Sequence, residues 1–139
     1  MNGAAGNFLA SAGKLSTKGF KTVMEIDTVG TFNMSKAVFV NSMKENKSGN
    51  IMNLSAVTHW NGSLLQAHAS AGKAGMDALT KVFAVEWGPY GIRVNTLTPG
   101  VINGTEGFER LGNPALMNNK AATKQAAASK SSTSLTGGK

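Results

Sequence analysis

Apolar residues recur at intervals of three and four positions across residues 16–43, which predicts one long amphipathic helix. Asp27 falls in the middle of the face that this spacing predicts to be buried. Because burying an unpartnered carboxylate is costly, an acid at this position indicates either a partner or a function. The alternative is that Asp27 lies at the edge of the face and hydrogen-bonds to a neighbouring backbone group. The predicted face consists of Phe20, Met24, Asp27, Thr31, Met34 and Val38.

A second helix is predicted over residues 65–87, where apolar and small residues again recur at helical spacing. Lys73 lies on the row of this helix that is predicted to be buried. The alternative is that its ammonium group reaches solvent along an apolar stem. Segment 88–91, with glycine at both ends and a proline, ends the helix. The predicted buried row consists of Ala69, Lys73, Met76, Thr80, Phe83 and Trp87, with Leu79 and Val82 beside it.

Two short apolar segments, residues 50–55 and 92–97, follow the two helices and are predicted to be buried strands. Gly49 is the predicted stop of the first helix, and Ser16 or Thr17 its predicted N-cap. Strands that alternate with long helices are typical of an α/β fold with a parallel sheet.

Ligands of such folds bind at the carboxyl ends of the strands. In this sequence those ends are Ser55–Ala56 and residues 98–100. Asp27 and Lys73 lie on the helices that flank the two strands, so we expect them to converge at this edge.

Composition narrows the class of protein. A hydrophobic share of 41% and a charged share of 15% indicate a globular chain. No apolar run approaches the ~20 residues that a membrane-spanning helix needs, and no secretory signal is recognised. The chain has no cysteine, which excludes disulfides and thiolate metal sites, and no metal site is predicted.

The net charge of +7 lies largely in the last part of the chain. Residues 1–112 carry a net charge of +3, whereas residues 113–139 hold four lysines and no acid. No aromatic residues interleave with these lysines, so nucleic-acid binding is not predicted. Residues 113–139 are of low complexity and are predicted to be a disordered tail that follows one domain at 1–112.

Five motifs follow one another along the chain: NGAAG at 2–6, GTF at 30–32, IMNLS at 51–55, AGKAG at 71–75, and IRVN at 92–95 followed by Pro99 and Gly100. In this order they resemble the short-chain dehydrogenase/reductase family. The resemblance implies a Rossmann-type doubly wound parallel sheet. Because no Gly-x-x-x-Gly-x-Gly turn is present, we expect an incomplete sheet whose first strands are missing.

The family's catalytic tyrosine lies four residues before the lysine, and its serine thirteen residues before the tyrosine; these positions hold Ala69 and Ala56. The family's helix asparagine falls on Asp27. Further stretches, namely AAGNFL at 4–9, FKTVMEIDT at 20–28, AVEWGP at 84–89, GTEG at 104–107 and RLG at 110–112, look like the peroxisomal 2,4-dienoyl-CoA reductases of this family. That branch departs from the family pattern in the same way.

The resemblance implies hydride transfer from NADPH to a 2,4-dienoyl-CoA, followed by protonation at carbon to give a trans-3-enoyl-CoA. No alkoxide forms, so no tyrosine acid is required. Asp27 is expected to hold a proton or to orient a donor water, and Lys73 to bind the nicotinamide ribose and add positive charge. The other implied cofactor-binding residues are Pro99, Gly100, Val101, Ile102, Asn103, Gly104 and Thr105.

The implied contacts with the fatty acyl-CoA substrate are Asn7, Phe8, Ser16, Thr17, Lys18 and Arg110. Asn7 could instead be only a turn residue, and Arg110 an ordinary surface residue. His68 beside the lysine motif is interpreted as a packing or solvent-facing residue rather than a base, and His59 is a weaker candidate still.

The same resemblance places the intact protein in the peroxisome and implies a homo-oligomer, although the chain ends in Gly-Gly-Lys rather than a Ser-Lys-Leu type signal. We expect this chain to be a truncated fragment that binds NADPH poorly. The alternative is a non-catalytic remnant that pairs with an intact paralogue through its small-residue helix faces.

Overall fold

The computed structural model describes residues 1–100 together with Ile102, Gly104, Thr105 and Leu111. The chain divides into two units, residues 1–100 and residues 101–139, and the first contains all the helices and strands described below. The predicted disordered tail at 113–139 lies outside the described residues. Within the described part of the chain, no helix is both long and apolar enough to cross a membrane.

The first helix occupies residues 17–46 without interruption, three residues beyond its predicted end. Ser16 is its N-cap, because the Ser16 hydroxyl accepts a hydrogen bond from the backbone N–H of Gly19 at 3.1 Å. The prediction that Gly49 stops the helix is wrong. Lys47 adopts a left-handed conformation (φ 48°) that ends the helix, and Gly49 already begins the first strand. The consecutive segments are α1 (Thr17–Met24), a π-helical turn (Glu25–Val29), α2 (Gly30–Val38), a second π-helical turn (Phe39–Met43) and α3 (Lys44–Asn46).

The buried face of the first helix differs from the predicted one. Phe20, Met34 and Val38 are exposed by 37%, 59% and 40%. A row with a constant spacing of four residues is buried instead: Val23, Asp27, Thr31 and Ser35. In an α-helix of 3.6 residues per turn, residues spaced by four gradually rotate away from one face. The two π-helical turns hold more residues per turn, which keeps this row on the same face. The prediction that Asp27 is buried is therefore confirmed, whereas most of its predicted neighbours on the face are not.

Two parallel strands form the sheet, β1 (Gly49–Leu54) and β2 (Ile92–Leu97). They pair in register from Gly49 opposite Ile92 to Leu54 opposite Leu97. The predicted bounds match β2 and are one residue late for β1. Asn2 pairs with the other edge of β1, since its N–H donates to Met52 O and its carbonyl accepts from Leu54 N–H, both at 2.9 Å.

The second predicted helix is present as α5 (Ala67–Trp87), preceded by a short helix, α4 (Thr58–Asn61). Every residue of the row from Ala69 to Trp87 is buried, whereas beside it Leu79 is partly buried and Val82 is 48% exposed. The helix starts two residues later than predicted because Leu65 adopts a positive φ of 65°, which a right-handed helix excludes. A 3₁₀ turn (Gly88–Tyr90) and Gly91 with φ 72° end the helix as predicted.

The apolar core lies between α5 and the sheet. Phe83 and Trp87 of α5 pack there against Ile51, Ile92 and Val94 of the strands. Phe39 of the first helix extends this core, since its ring stacks on Trp87 with centroids 4.4 Å apart. The core therefore holds both helices against one end of the sheet and leaves the carboxyl ends of the strands for polar side chains.

A buried chain of hydrogen bonds joins the layers above this core. Asn53 of β1 accepts from Asn2 at 2.8 Å and donates to Thr80 of α5 at 2.8 Å. Thr96 of β2 donates to the same Thr80 hydroxyl at 2.9 Å, and Asn2 also reaches Ser35 of the first helix at 3.0 Å. Because each partner belongs to a different element, this network fixes where Asn2 lies relative to β1 and the first helix.

Candidate active site

Lys73 projects from α5 to the carboxyl end of β1. Its ammonium nitrogen donates a hydrogen bond to the Leu54 carbonyl at 3.1 Å and lies 3.4 Å from Oδ2 of Asp27. The residue is 8% exposed, so the alternative that its ammonium group reaches solvent is wrong. Asp27 and Lys73 therefore converge at this edge of the sheet, as the sequence predicts.

Asp27 has no exposed surface and sits between two donors. The backbone N–H of Gly6 donates to its Oδ1 at 2.8 Å, and Lys73 faces its Oδ2. The contact with Lys73 is a charge pair without hydrogen-bond geometry, and Oδ2 has no hydrogen-bond partner among the residues described. Asp27 does bond to a backbone group, but from the centre of the buried face rather than from its edge.

Two glycines of α5 allow the first helix to pack close to α5 at the position of Asp27. A Cβ on Gly72 would lie 3.1 Å from the Cβ of Asp27, and one on Gly75 would lie 2.9 Å from the Thr28 side chain. The Thr28 hydroxyl donates to the Gly72 carbonyl at 3.0 Å across the same contact. The first helix therefore occupies the part of the small-residue face of α5 around Gly72 and Gly75, whereas Ala74 and Ala78 are exposed.

The positions of the family's tyrosine and serine carry no hydroxyl in this chain. Ala69 is 4% exposed and Ala56 is half-buried next to the strand end. The adjacent Ser55 is 5% exposed, and its hydroxyl has no hydrogen-bond partner among the described residues. Ser55 lies at the strand end where ligands are expected to bind, but its hydroxyl was not singled out as a site group.

The expected acyl-CoA contacts Asn7 and Phe8 lie on the loop that leaves Gly6. Asn7 is exposed and donates a long hydrogen bond of 3.4 Å to Gln66, while Phe8 is 40% exposed. The ring of Phe8 stacks on His68 with centroids 4.1 Å apart. His68 has no exposed surface, so it is a packed residue in this state and does not face solvent.

The remaining predicted site residues lie at the start of the first helix and after β2. The hydroxyl of Ser16 is engaged in capping the first helix, whereas Thr17 and Lys18 are exposed on its first turn. Pro99 and Gly100 follow β2 after Thr98. Thr105 donates to the Ile102 carbonyl at 3.0 Å, and Gly104 adopts φ 73°. Val101, Asn103 and Arg110 lie outside the described residues.

The arrangement supplies a buried carboxylate, a buried ammonium group and an unpartnered hydroxyl at one sheet edge. Such a cluster can move a proton and stabilise negative charge that develops on a ligand. The lysine has three N–H donors, of which the Leu54 carbonyl takes one and Asp27 faces another, so a donor remains for a ligand hydroxyl. No group of three or more metal-ligating side chains occurs among the described residues.

A family model described as short chain dehydrogenase matches residues 1–114. The chain belongs to this family. The family resemblance drawn from the motifs is thereby confirmed, and with it the α/β fold with a parallel sheet.

Among curated proteins, the peroxisomal 2,4-dienoyl-CoA reductase [(3E)-enoyl-CoA-producing] of Danio rerio is 55% identical over 112 residues, which are 81% of this chain and 37% of that protein. The chain therefore spans less than two fifths of this relative.

Two solved structures share the fold. A short chain dehydrogenase from Bacillus anthracis is 43% identical with a TM-score of 0.70, over 74% of this chain and 42% of that one. A gluconate 5-dehydrogenase from Burkholderia cenocepacia, solved with NADP and tartrate, is 27% identical with a TM-score of 0.74, over 87% of this chain and 45% of that one.

Proposed function

We propose that this chain carries the acyl-CoA-binding and proton-handling part of an NADPH-dependent 2,4-dienoyl-CoA reductase, which forms trans-3-enoyl-CoA during the β-oxidation of unsaturated fatty acids. The observation that carries the proposal is the buried Asp27–Lys73 pair at the carboxyl end of β1. It occurs together with alanines at the positions of the family's tyrosine and serine. The substrate named for the Danio rerio relative is of the same kind.

The proposed reaction suits a site that has a carboxylate and an ammonium group and has alanine at the position of the family's tyrosine. Hydride addition to the far end of the conjugated system sends electrons to the thioester oxygen, and the resulting dienolate takes a proton at carbon. Lys73 offers positive charge to this developing anion. Asp27 holds the proton or orients the water that delivers it. No alkoxide forms, so the reaction does not require a tyrosine to protonate one.

The described residues fit the nicotinamide end of the cofactor. Lys73 keeps an N–H donor for ribose hydroxyls. The assignment of residues 99–105 to the ring and phosphates rests on the family resemblance alone. The cofactor supplies the hydride when bound. The Burkholderia cenocepacia relative was solved with NADP, which supports the same choice for this chain.

The substrate side comprises Phe8 and Asn7 near the acyl thioester, with Ser16, Thr17, Lys18 and Arg110 toward coenzyme A. The exposed ammonium group of Lys18 suits its phosphates. Residence in the peroxisome follows from the same proposal, as does self-association of the protein.

Binding and turnover test the proposal separately. Purified chain is titrated with 2,4-hexadienoyl-CoA by calorimetry, with free coenzyme A as the control. We expect the dienoyl thioester to bind more tightly.

NADPH oxidation is followed in the Danio rerio relative, in the wild type and with Asp27→Asn made at the aligned position. We expect turnover to fall by a factor of about 100 or more, in the range typical of a lost acid–base group. Unchanged turnover would assign Asp27 a structural role, and absence of dienoyl-CoA binding would refute the proposed function.

A second candidate is a non-catalytic chain that pairs with an intact paralogue. The first helix occupies the part of the small-residue face around Gly72 and Gly75. Ala74, Ala78 and the exposed apolar residues of both helices are left as the surface that this hypothesis can use. Co-purification with a full-length reductase, without dienoyl-CoA binding by the chain itself, would favour this candidate.

A further inference from the structure

His68 is a fully buried histidine on α5 whose two ring nitrogens have no hydrogen-bond partner among the residues described. Buried ring nitrogens are normally hydrogen-bonded, because burial removes their bonds to water without replacing them. A leucine would fill a similar space without this loss. The imidazole is therefore better explained by a second state in which a nitrogen gains a partner than by packing alone.

Phe8 is the side chain that covers the imidazole. Its ring lies at 23° to the ring of His68 with centroids 4.1 Å apart, and Phe8 itself is 40% exposed. Two residues earlier in the same loop, the N–H of Gly6 binds Asp27. Phe8 thus lies next to the site residues, and a half-exposed ring can turn away without opening the apolar core.

The backbone next to His68 is held in a strained conformation. Leu65 has a positive φ of 65°, and α5 begins without a side-chain cap at Gln66. The Leu65 carbonyl accepts a hydrogen bond from Ala10 at 3.0 Å, and Ala10 lies on the loop that carries Phe8. The loop that carries Phe8 is therefore joined to this strained segment through the Ala10–Leu65 hydrogen bond.

We propose that His68 is an acyl-CoA-binding residue. When the ligand binds, Phe8 turns off the imidazole ring, and a ring N–H donates a hydrogen bond to a carbonyl oxygen of the acyl-CoA. This inference rests on the proposed function. The thioester and the pantetheine amides offer the same kind of acceptor, and a comparison of dienoyl-CoA with free coenzyme A separates them.

Nitrogen NMR of the histidine rings tests the proposal directly, because the chain contains two histidines. His59, which lies 2.8 Å from Asp77, serves as the internal control, and His59→Gln assigns the two signals. We expect 2,4-hexadienoyl-CoA to shift the His68 ring signals and to leave those of His59 in place. A matching shift with free coenzyme A assigns the acceptor to the pantetheine, and its absence assigns it to the thioester.

The outcomes separate this inference from the proposed function. If calorimetry detects binding of 2,4-hexadienoyl-CoA but the His68 signals stay in place, or both histidines shift alike, the role of His68 is refuted and the proposed function stands. If the wild-type chain binds no dienoyl-CoA, both are refuted.

Variants provide a second readout that a structural histidine would not give. His68→Leu removes the unpartnered nitrogens, so we expect a higher Tm without ligand, together with about tenfold weaker binding of 2,4-hexadienoyl-CoA, the usual effect of one lost hydrogen bond. His68→Gln keeps a donor and is expected to lose less affinity. A lower Tm with unchanged affinity in His68→Leu would show that the imidazole is a core residue and overturn the proposal.

Discussion

Asp27 is fully buried, yet a donor faces each of its carboxylate oxygens. Removing one member of such a pair leaves the other charge buried without its partner, which typically costs about 3 kcal/mol or more. We therefore expect Asp27→Asn and Lys73→Met each to lower the free energy of unfolding by an amount of this order, measured by urea denaturation. The double variant is expected to lose less than the sum of the two, by about 1 kcal/mol or more, because the residues interact directly. Strict additivity would mean that the 3.4 Å pair contributes no stability.

Gly72 is the position at which a single methyl group tests the close contact between the two helices. The Cβ of Gly72→Ala would lie 3.1 Å from the Cβ of Asp27 and 3.4 Å from its Oδ2, so the carboxylate must shift. We expect a loss of about 1 to 3 kcal/mol in the free energy of unfolding, the usual effect of overpacking. Gly88→Ala is the matched control, because no atom of the described residues lies within 4 Å of its added Cβ and its φ of −52° suits alanine. Equal effects of the two substitutions would contradict the proposed contact.

The buried residues of a helix could be predicted from the sequence only where the helix is regular along its length. The buried row of α5 was predicted in full because a regular helix of 21 residues keeps a simple apolar period. The first helix contains two π-helical turns, which change the number of residues per turn, and no feature of the sequence marked them. The position of Asp27 was predicted correctly from a face that was otherwise largely wrong.

The sequence predicted the site residues whose positions follow from motif spacing. It did not predict those whose role depends on which loop packs over them. Asp27 and Lys73 meet because their helices flank the same strand end. The burial of His68 and the unpartnered hydroxyl of Ser55 depend on which loop covers them, and a local pattern does not encode that. Ser16 was predicted both as a cap and as a ligand contact, and its hydroxyl serves the cap.

The short helix α4 is attached to α5 by a polar contact that the sequence analysis did not foresee. His59 Nε2 lies 2.8 Å from Asp77 Oδ2, with side chains 9% and 15% exposed. Asp77→Asn weakens this contact, and we expect a loss of about 1 to 3 kcal/mol, as for other buried polar groups that lose a charged partner. Hydrogen exchange should become faster in segment 57–62.

Glu86→Gln removes an exposed carboxylate from the same helix and is the matched control for this substitution. Unchanged exchange in segment 57–62 of Asp77→Asn would show that packing alone holds α4.

For the molecule as a whole, exposed apolar side chains occur on both helices and require an explanation. The chain's own layers leave them uncovered, although a globular chain buries most large apolar groups. Self-association of the protein, as proposed above, would cover some of these residues, which include Ile26, Val29, Phe32, Val40, Val82 and Val85.

Val85 is the most suitable position for a substitution that tests this association, because it is 77% exposed and its substitution leaves the core intact. In a symmetric dimer the same surface meets itself, so Val85→Asp introduces a carboxylate on both sides of one interface. We expect the variant to shift toward the monomer in size-exclusion chromatography with light scattering, while its Tm at low concentration stays within a few degrees of the wild type. Leu64→Asp, at a loop residue 62% exposed, is the control and should leave the association unchanged. A wild-type chain that is monomeric at all concentrations would refute self-association, and equal disruption by both variants would place the interface elsewhere.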